Sequence, residues 1–310
     1  MSALERAPAG YQSPKLFRYR KAVLYLEDCV RWLSYQRERS IHAVVTDPPY
    51  GLVEYSPEQQ RKLRARRGGV WRIPPAFDGH PRSPVPRFTV LRRCDLERIR
   101  SFFEEWARML FPVLVPGANV VIASNTLLSH LVDTALTAAG FEKRGTVVRL
   151  VTTLRGGDRP KNAHLEFPEV STAPRSMWEP WLLFRKPLEG RVRDNLVRWK
   201  TGGFRRPSLN EPFGDVIRSA PASRRERAIA PHPSLKPQAF LRQLVRAVLP
   251  CGEGVVLDPF AGSGSTLAAA EAVGYRSIGV EIDPEYFRMA ERAIPLLARL
   301  DTDADGEAAL

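Results

Sequence analysis

A glycine-rich turn between an apolar strand and a helix constrains the fold of this chain more than any other feature. The sequence predicts a buried strand at Val255–Leu257 and a helix at Ser265–Val273, and the turn between them is Asp258-Pro259-Phe260-Ala261-Gly262-Ser263-Gly264. Gly262 and Gly264 let the backbone pass close to a ligand, because no Cβ stands in the way. Doubly wound α/β folds bind nucleotides at such strand ends, so we expect an α/β fold with a ligand site at this turn.

Strands and helices alternate along most of the chain. This alternation predicts a mostly parallel sheet with helices on both faces, in one domain that spans residues 1–310. The predicted strands are Ala22–Leu26, Ile41–Thr46, Asn119–Ala123, Thr146–Val151, Trp181–Phe184, Val255–Leu257 and Ser277–Val280. Helices are predicted after the first strand, from an N-cap at Asp95 to about Phe111, up to about Ala139, at Pro237–Leu249, at Ser265–Val273 and from Pro284.

Two basic stretches interrupt this pattern, at residues 55–93 and 188–231. Arginine and proline dominate the first stretch, which we interpret as a mobile loop, and the second is also interpreted as irregular. The whole chain carries 47 Lys and Arg against 34 Asp and Glu, a net charge of +13. Such a balance favours a polyanionic partner, nucleic acid ahead of a membrane surface. An arginine-rich genome would also produce this composition in a protein with no such partner.

Several protein classes fit the sequence poorly. Cys29, Cys94 and Cys251 show neither disulfide nor metal-ligand spacing, so a reducing compartment and no metal site are expected. Neither a signal peptide nor an apolar run of about 18 residues is present in the sequence. We therefore expect a cytoplasmic protein that does not bind membranes.

The turn at Gly262 is better suited to a nucleoside than to a dinucleotide. Glu281 ends the next strand, about 20 residues after Gly262, where a carboxylate can accept hydrogen bonds from both ribose hydroxyls. The third glycine of the dinucleotide pattern is replaced by Leu267, which argues against a pyrophosphate and for S-adenosylmethionine. Ser265 and Thr266, at the helix start, are then suited to the methionine carboxylate. The alternative is a tight turn whose glycines serve packing only.

A second motif, Asp47-Pro48-Pro49-Tyr50, follows the strand Ile41–Thr46. An exocyclic base amine is a poor nucleophile, because its lone pair is delocalised into the ring. The Asp47 carboxylate and the Pro48 carbonyl can hold the amino hydrogens, and Tyr50 can stack on the base. Such a pocket requires a base that has left the duplex. The alternative is a strand-ending turn in a chain that contains 27 prolines.

The two motifs in this order resemble the beta class of S-adenosylmethionine-dependent DNA amino-methyltransferases, which form N6-methyladenine or N4-methylcytosine. His232-Pro233-Ser234-Leu235-Lys236-Pro237 and Leu24–Asp28 resemble further segments of that class. The resemblance implies a Rossmann-like methyltransferase fold with a seven-stranded, mostly parallel sheet, helices on both faces and a permuted motif order. It also implies that Lys236 approaches the methionine part of the cofactor and Asp28 its adenine ring. The predicted catalytic residues are Asp47, Pro48, Pro49 and Tyr50, and the predicted cofactor-binding residues are Asp28, Lys236, Asp258, Phe260, Ala261, Gly262, Ser263, Gly264, Ser265, Thr266 and Glu281.

The resemblance gives the two basic stretches a use on double-stranded DNA. Residues 55–93 leave directly from the catalytic turn and are expected to face DNA, and residues 188–231 are a candidate insertion for target recognition. Lysine and arginine there would mostly contact phosphates. The predicted DNA-binding residues are Arg61, Lys62, Arg64, Arg66, Arg67, Arg205 and Arg206. A homodimer and a cognate restriction endonuclease are left open as partners, and DNA would place the protein at the nucleoid.

The identity of the methylated group divides the remaining alternatives. Asp rather than Ser at position 47 favours adenine N6 over cytosine N4 by resemblance, although the same pocket chemistry serves both amines. Cytosine C5 methylation needs a cysteine nucleophile, and Cys251 lies in a turn far from the catalytic motif, so we reject it. RNA methylation, protein-glutamine methylation and an inactive DNA-binding module are the weaker alternatives.

Overall fold

A computed structural model of the protein describes residues 14–49, 76–77, 80–81, 93–151, 159–160 and 162–302. The strands are β1 (Leu16–Tyr19), β2 (Ala22–Leu26), β3 (Ile41–Thr46), β4 (Ala76–Phe77), β5 (His80–Pro81), β6 (Leu114–Ala123), β7 (Glu142–Leu150), β8 (Trp178–Arg185), β9 (Val216–Arg218), β10 (Val255–Asp258) and β11 (Arg276–Glu281). The helices are α1 (Cys29–Ser34), α2 (Arg93–Val113), α3 (Ser129–Ala138), α4 (Val192–Arg198), α5 (Arg224–Ile229), α6 (Gln238–Val248), α7 (Ser265–Ala272) and α8 (Pro284–Ala298).

One nine-stranded sheet forms the centre of the fold, in the order β1-β2-β11-β10-β3-β6-β8-β7-β9. Strands β2, β11, β10, β3 and β6 run parallel to one another, and β8 is antiparallel to both of its neighbours. The start of β8 therefore lies at the same edge of the sheet as the ends of β3, β10 and β11. This edge, where the parallel strands end, is called the carboxyl edge below.

The predicted α/β class and mostly parallel sheet are confirmed, but the predicted count of seven strands was wrong. Strand β1 adds an antiparallel partner to β2 at one border, and the short strand β9 pairs with β7 at the other. Without these two border strands, the expected seven remain. The sequence did not mark β9, because three residues are too few to show an alternating pattern.

Helices cover both faces of the sheet, as the alternation predicted. Alternate residues of β3 face the two layers of helices. Val44 packs with α1, α2 and α3 on one face of the sheet, and Ala43 and Val45 pack with α6 and α7 on the other. The strand ends at Thr46, just before Asp47, because Pro48 and Pro49 cannot continue the ladder. Helix α8 begins at Pro284, where the Asp283 side chain accepts hydrogen bonds from two backbone amides of the first turn.

The region 188–231 packs into the domain and contains three short elements that the sequence analysis did not predict. It contains α4, β9 and α5, and the side chains of Asn195 and Glu226 are buried. Ser223 and Glu226 form a capping box that starts α5, and the second oxygen of Glu226 accepts the Gln238 amide at 2.6 Å. The high arginine content concealed these local start signals. A role of this region in target recognition stays a prediction.

The first basic stretch, residues 55–93, lies outside the described residues apart from β4, β5 and the first residue of α2. Helix α2 begins at Arg93, so Asp95 lies in its first turn. The prediction that Asp95 is the N-cap was therefore wrong.

Within the described ranges, every helix is too short or too polar to span a bilayer.

Gly264, the N-cap of α7, allows a close approach of α8. Its φ is +78°, and a Cβ there would lie 2.5 Å from Cγ1 of Ile294 and 3.2 Å from Cβ of Ala290. Gly274 has a similar φ of +82° with no atom within 4 Å of such a Cβ. An alanine at either position would therefore meet the same backbone strain, but only at Gly264 would its Cβ also collide with neighbouring atoms.

We expect Gly264→Ala to lower the free energy of unfolding by about 2–4 kcal/mol, from left-handed strain plus overpacking. The matched Gly274→Ala change should cost only the strain, about 1 kcal/mol. Urea denaturation of both variants measures the difference. Equal losses would show that the α7–α8 contact does not require glycine.

Candidate active site

The two sequence motifs meet because β3 and β10 are neighbouring parallel strands. Val256 and Leu257 pair with Ala43 and Val44, so both strands end at the carboxyl edge. The hydroxyl of Thr46 then donates to Asp258 Oδ1 at 2.6 Å, across 212 positions of sequence. This bond fixes the start of the Asp47 turn against the start of the glycine-rich turn.

A cavity of about 480 Å³ opens at this edge, within the usual size range of small-molecule sites. Both motifs line it, along with the segment that precedes α6. The predicted site residues on its wall are Asp28, Asp47, Pro49, Lys236, Asp258, Phe260, Ala261, Gly262, Ser263, Ser265, Thr266 and Glu281.

Two predicted residues are placed elsewhere, and a third lies outside the described residues. Gly264 packs against α8, as described above, and does not line the cavity. Pro48 is buried behind the cavity wall. Tyr50 falls outside the described ranges, so its stacking role stays a prediction.

Glu281 and Gly262 form a cradle on one wall of the cavity. The amide of Gly262 donates to Glu281 Oε2 at 2.6 Å, and the amide of Asp283 donates to Oε1 at 2.8 Å. Burial raises the pKa of Glu281 to about 7, although both amides oppose the rise. A carboxylate has about four acceptor positions, so two remain for hydroxyls of a ligand.

The cradle is narrow at Gly262. A Cβ on this residue would lie 3.3 Å from His232 Nε2, so the imidazole packs closely against Gly262, and both residues line the cavity. The amide of Ser234 donates to Nδ1 of His232, which places the proton of the neutral ring on Nε2. Burial and the neighbouring Lys236 lower the pKa of His232 to about 4, so the ring stays neutral at physiological pH.

Asp258 has a structural role between the two motifs. Its carboxylate accepts hydrogen bonds from the hydroxyls of Thr46 and Thr266 and from the amide of Phe260. Burial raises its pKa to about 6 in spite of these bonds. Asp258 thus holds the turn together from within, and only part of it faces the cavity.

Asp28 reaches the cavity from the end of β2, as predicted, and it also caps α1. Its Oδ1 accepts the amide of Arg31 at 2.9 Å. Glu27 lies beside it on the cavity wall and accepts hydrogen bonds from the Tyr35 hydroxyl at 3.0 Å and from the Asp28 amide at 3.1 Å. Glu27 was not among the predicted site residues, although its position directly after β2 could have indicated that it lies at the cavity.

A chain of alternating charges lies behind the catalytic motif. Lys236 pairs with Asp47 and also with Glu179, whose Oε1 is 3.2 Å from Lys236 Nζ. Arg149 Nη1 donates to the other oxygen of Glu179 at 3.0 Å. Burial lowers the pKa of Lys236, but the carboxylates of Asp47 and Glu179 outweigh burial and raise it above its usual value. Lys236 is therefore held as an ammonium beside Asp47.

Sequence reasoning missed Glu179 and Arg149 entirely. They face each other across the paired strands β7 and β8, and the start of β8 lies at the carboxyl edge only because β8 is antiparallel. The backbone of Ala220 and the hydroxyl of Ser219, just after β9, both accept hydrogen bonds from Arg149. Part of region 188–231 therefore supports the active site.

Arg205 and Arg206 lie at the opposite edge of the sheet. Arg205 Nη1 donates to the hydroxyl of Tyr275 at 2.8 Å, just before β11 begins, and the carbonyl of Arg206 accepts a bond from Arg246 near the end of α6. The structure does not bring these two arginines to the cavity. Their predicted contact with DNA gains no support from this position. The other predicted DNA-binding residues, Arg61, Lys62, Arg64, Arg66 and Arg67, fall outside the described residues.

Comparison with known proteins decides the family, because the model of the N6/N4 DNA methylases matches residues 41–292. The chain belongs to this DNA methylase family. Its activity is accordingly S-adenosylmethionine-dependent methylation of DNA, which agrees with the resemblance stated from the motifs.

Several relatives align with most of this DNA methylase. The type II methyltransferase M2.LlaDCHI of Lactococcus lactis subsp. cremoris is 30% identical over 88% of this chain and 89% of its own. M.HindIII of Haemophilus influenzae is 24% identical over 86% of this chain and 93% of its own.

Solved structures agree on the fold of the methylase. TTHA0409 of Thermus thermophilus, described as a DNA modification methylase and solved with S-adenosyl-L-methionine, has a TM-score of 0.55 at 20% identity, covering 89% of this chain and 94% of its own. The cytosine-N4-specific PvuII DNA methyltransferase has a TM-score of 0.58 at 14% identity, covering 92% of this chain and 88% of its own.

The cavity fits S-adenosylmethionine in its chemistry. The buried Glu281 carboxylate retains acceptor positions for hydroxyls, and several further acidic side chains line the wall, which suits a cationic ligand. In the described part of the chain, no three His, Cys, Asp or Glu side chains are grouped closely enough to hold a metal ion.

We expect the affinity for S-adenosylmethionine to rise with pH through about 7. Below the pKa of Glu281, the carboxyl carries a proton and loses an acceptor position, so binding should weaken by up to about tenfold per pH unit as pH falls. Isothermal titration calorimetry between pH 6 and 8 measures this dependence.

Glu281→Gln is the matched variant for this experiment, because it keeps the shape of the side chain and cannot ionise. It should bind more weakly at pH 8 and show a dissociation constant that varies little with pH. A wild-type affinity that does not change over this range would remove the Glu281 carboxylate from the binding step.

Proposed function

We propose that this methylase transfers a methyl group to the N6 amine of an adenine that has been flipped out of duplex DNA. The observation that carries the proposal is that the Asp47 carboxylate and the Glu281–Gly262 cradle line the same cavity. An acceptor for amine hydrogens and a cradle for a nucleoside therefore face one space.

Bound S-adenosylmethionine supplies a methyl group on a positively charged sulfur. As the amine nitrogen bonds to the methyl carbon, the carbon–sulfur bond breaks and the nitrogen gains positive charge. Asp47 accepts a hydrogen bond from the amine, which localises the nitrogen lone pair and stabilises this charge. The product amine then releases one proton.

The position of Asp47 supports base flipping. Only 17% of its side chain is exposed, and Lys236 and Pro49 flank it on the cavity wall. A base that is stacked and paired in a duplex cannot bring its amine to such a recessed carboxylate. Double-stranded DNA is therefore the proposed substrate, with the target base extruded into the cavity.

Adenine is proposed over cytosine because position 47 is Asp, which by resemblance is more typical of enzymes that act on adenine. Cytosine N4 is the second candidate, and the cytosine-N4-specific fold neighbour is the observation that favours it. The type II relatives extend the proposal to a cognate restriction endonuclease as a partner.

Asp47→Ala should lower the rate of methyl transfer at least about 100-fold, because the amine loses its charged acceptor. Binding of S-adenosylmethionine should be largely retained. The measurement is methylation of DNA from a methylation-deficient host, sequenced by a method that separates N6-methyladenine from N4-methylcytosine.

Asp133→Ala is the matched control, because Asp133 also pairs with a lysine, Lys143, but on the surface between α3 and β7. This variant should methylate DNA at the wild-type rate. Methylated cytosine in place of adenine would overturn the proposed base, and an active Asp47→Ala variant would overturn the role of Asp47.

A further inference from the structure

We propose that Lys236 and Asp47 together recognise the target base, with Lys236 donating a hydrogen bond to the ring nitrogen next to the amine that Asp47 holds. The inference deepens the proposed function and rests on it. It assigns Lys236 to base selection, in place of the contact with the methionine part of the cofactor that the family resemblance implied.

The geometry places a donor beside an acceptor on the cavity wall. Lys236 Nζ donates to Asp47 Oδ2, and both side chains line the cavity. An ammonium has three N–H groups. Its neighbours in the described part of the chain are the carboxylates of Asp47 and Glu179, so at least one N–H remains for a ligand.

The charges at this point favour a neutral acceptor. Two carboxylates already flank the Lys236 ammonium, of which only 9% is exposed. A carboxylate from a ligand would add a third negative charge at the same buried cation. A ring nitrogen of a base accepts a hydrogen bond without adding charge, so it avoids this repulsion.

The bases themselves explain why such a pair would be useful. Adenine presents its N6 amine next to the acceptor N1, and cytosine presents its N4 amine next to the acceptor N3. Both match an acceptor at Asp47 and a donor at Lys236. Thymine O4 and guanine O6 are acceptors next to a ring N–H, which is the reverse order, so either base would bring two acceptors and two donors face to face.

Glu179 is a positioning residue in this arrangement. Its Oε1 pairs with the ammonium at 3.2 Å, and its Oε2 accepts hydrogen bonds from Arg149 at 3.0 Å and from the indole Nε1 of Trp181 at 3.4 Å. With Glu179 in place, Lys236 can remain beside Asp47 when the carboxylate takes up the amine.

The experiment uses base analogues that keep the amine and lack the ring acceptor. The duplex carries the recognition sequence found by methylation sequencing, with 1-deaza-adenine at the target adenine, or 3-deaza-cytosine if the target is cytosine. The measured quantity is the ratio of kcat/KM on the natural base to kcat/KM on the analogue. Comparing this ratio between variants cancels the intrinsic reactivity of the analogue.

We expect the ratio to fall about 10-fold or more from wild type to Lys236→Met, because a hydrogen bond from a charged donor contributes about this factor. Lys143→Met is the matched control, since Lys143 also pairs with an aspartate, far from the cavity. Its ratio should equal that of the wild type. The dissociation constant for S-adenosylmethionine is measured for each variant.

An unchanged ratio in Lys236→Met overturns the proposal, and a weakened cofactor affinity with an unchanged ratio would return Lys236 to the cofactor. If Lys236→Met does not fold by circular dichroism, Glu179→Gln decides in its place. A lower ratio in that variant supports the inference, and the wild-type ratio overturns it. Absence of any methylated base in wild-type reactions would instead refute the proposed function.

Discussion

The hydrogen bond between Thr46 and Asp258 is the contact on which the active site depends. It joins the ends of two neighbouring parallel strands, so one edge of the sheet carries both the Asp47 turn and the glycine-rich turn. The bond is buried, where losing one partner leaves a polar group without compensation and costs more than the bond contributes on the surface. Because Asp47 directly follows Thr46, the position of its carboxylate is fixed by the core of the sheet and not by a surface loop.

The alternating charges from Arg149 through Glu179 and Lys236 to Asp47 solve a second problem. In the proposed role Asp47 accepts amine hydrogens as a carboxylate, and burial alone disfavours such a charged group. Each charge in the series is flanked by the opposite sign, and the hydroxyl of Ser219 and the carbonyl of Ala220 complete the shell of Arg149. Such a series is more valuable for holding a defined geometry than for net stability, since desolvation offsets much of the attraction.

Sequence reasoning found the parts of the site that local pattern encodes and missed the parts that depend on topology. Gly262, Glu281 and Asp47 each follow an apolar strand, so their shared edge was predictable from the alternation of elements. Glu179 was not predictable, because it begins a strand, and only the antiparallel insertion of β8 brings that end to the cavity. For a related reason, the sequence did not reveal the short elements of region 188–231 or the position of Arg205. Net charge indicates a polyanionic partner, but it does not say whether an arginine faces that partner or, like Arg205, bonds a tyrosine at the far edge.

Strand β8 also explains how one domain can combine two binding tasks. The parallel strands β2, β11 and β10 lead to Asp28, Glu281 and the glycine-rich turn, which line one part of the cavity. Beyond β3 and β6, the antiparallel strand β8 contributes Trp181 to the cavity wall and places Glu179 beside Lys236. Lys236, just before α6, contacts the carboxylate of Asp47 after β3 and that of Glu179 at the start of β8. A single lysine therefore ties the turn after the parallel strand β3 to the start of the antiparallel strand β8.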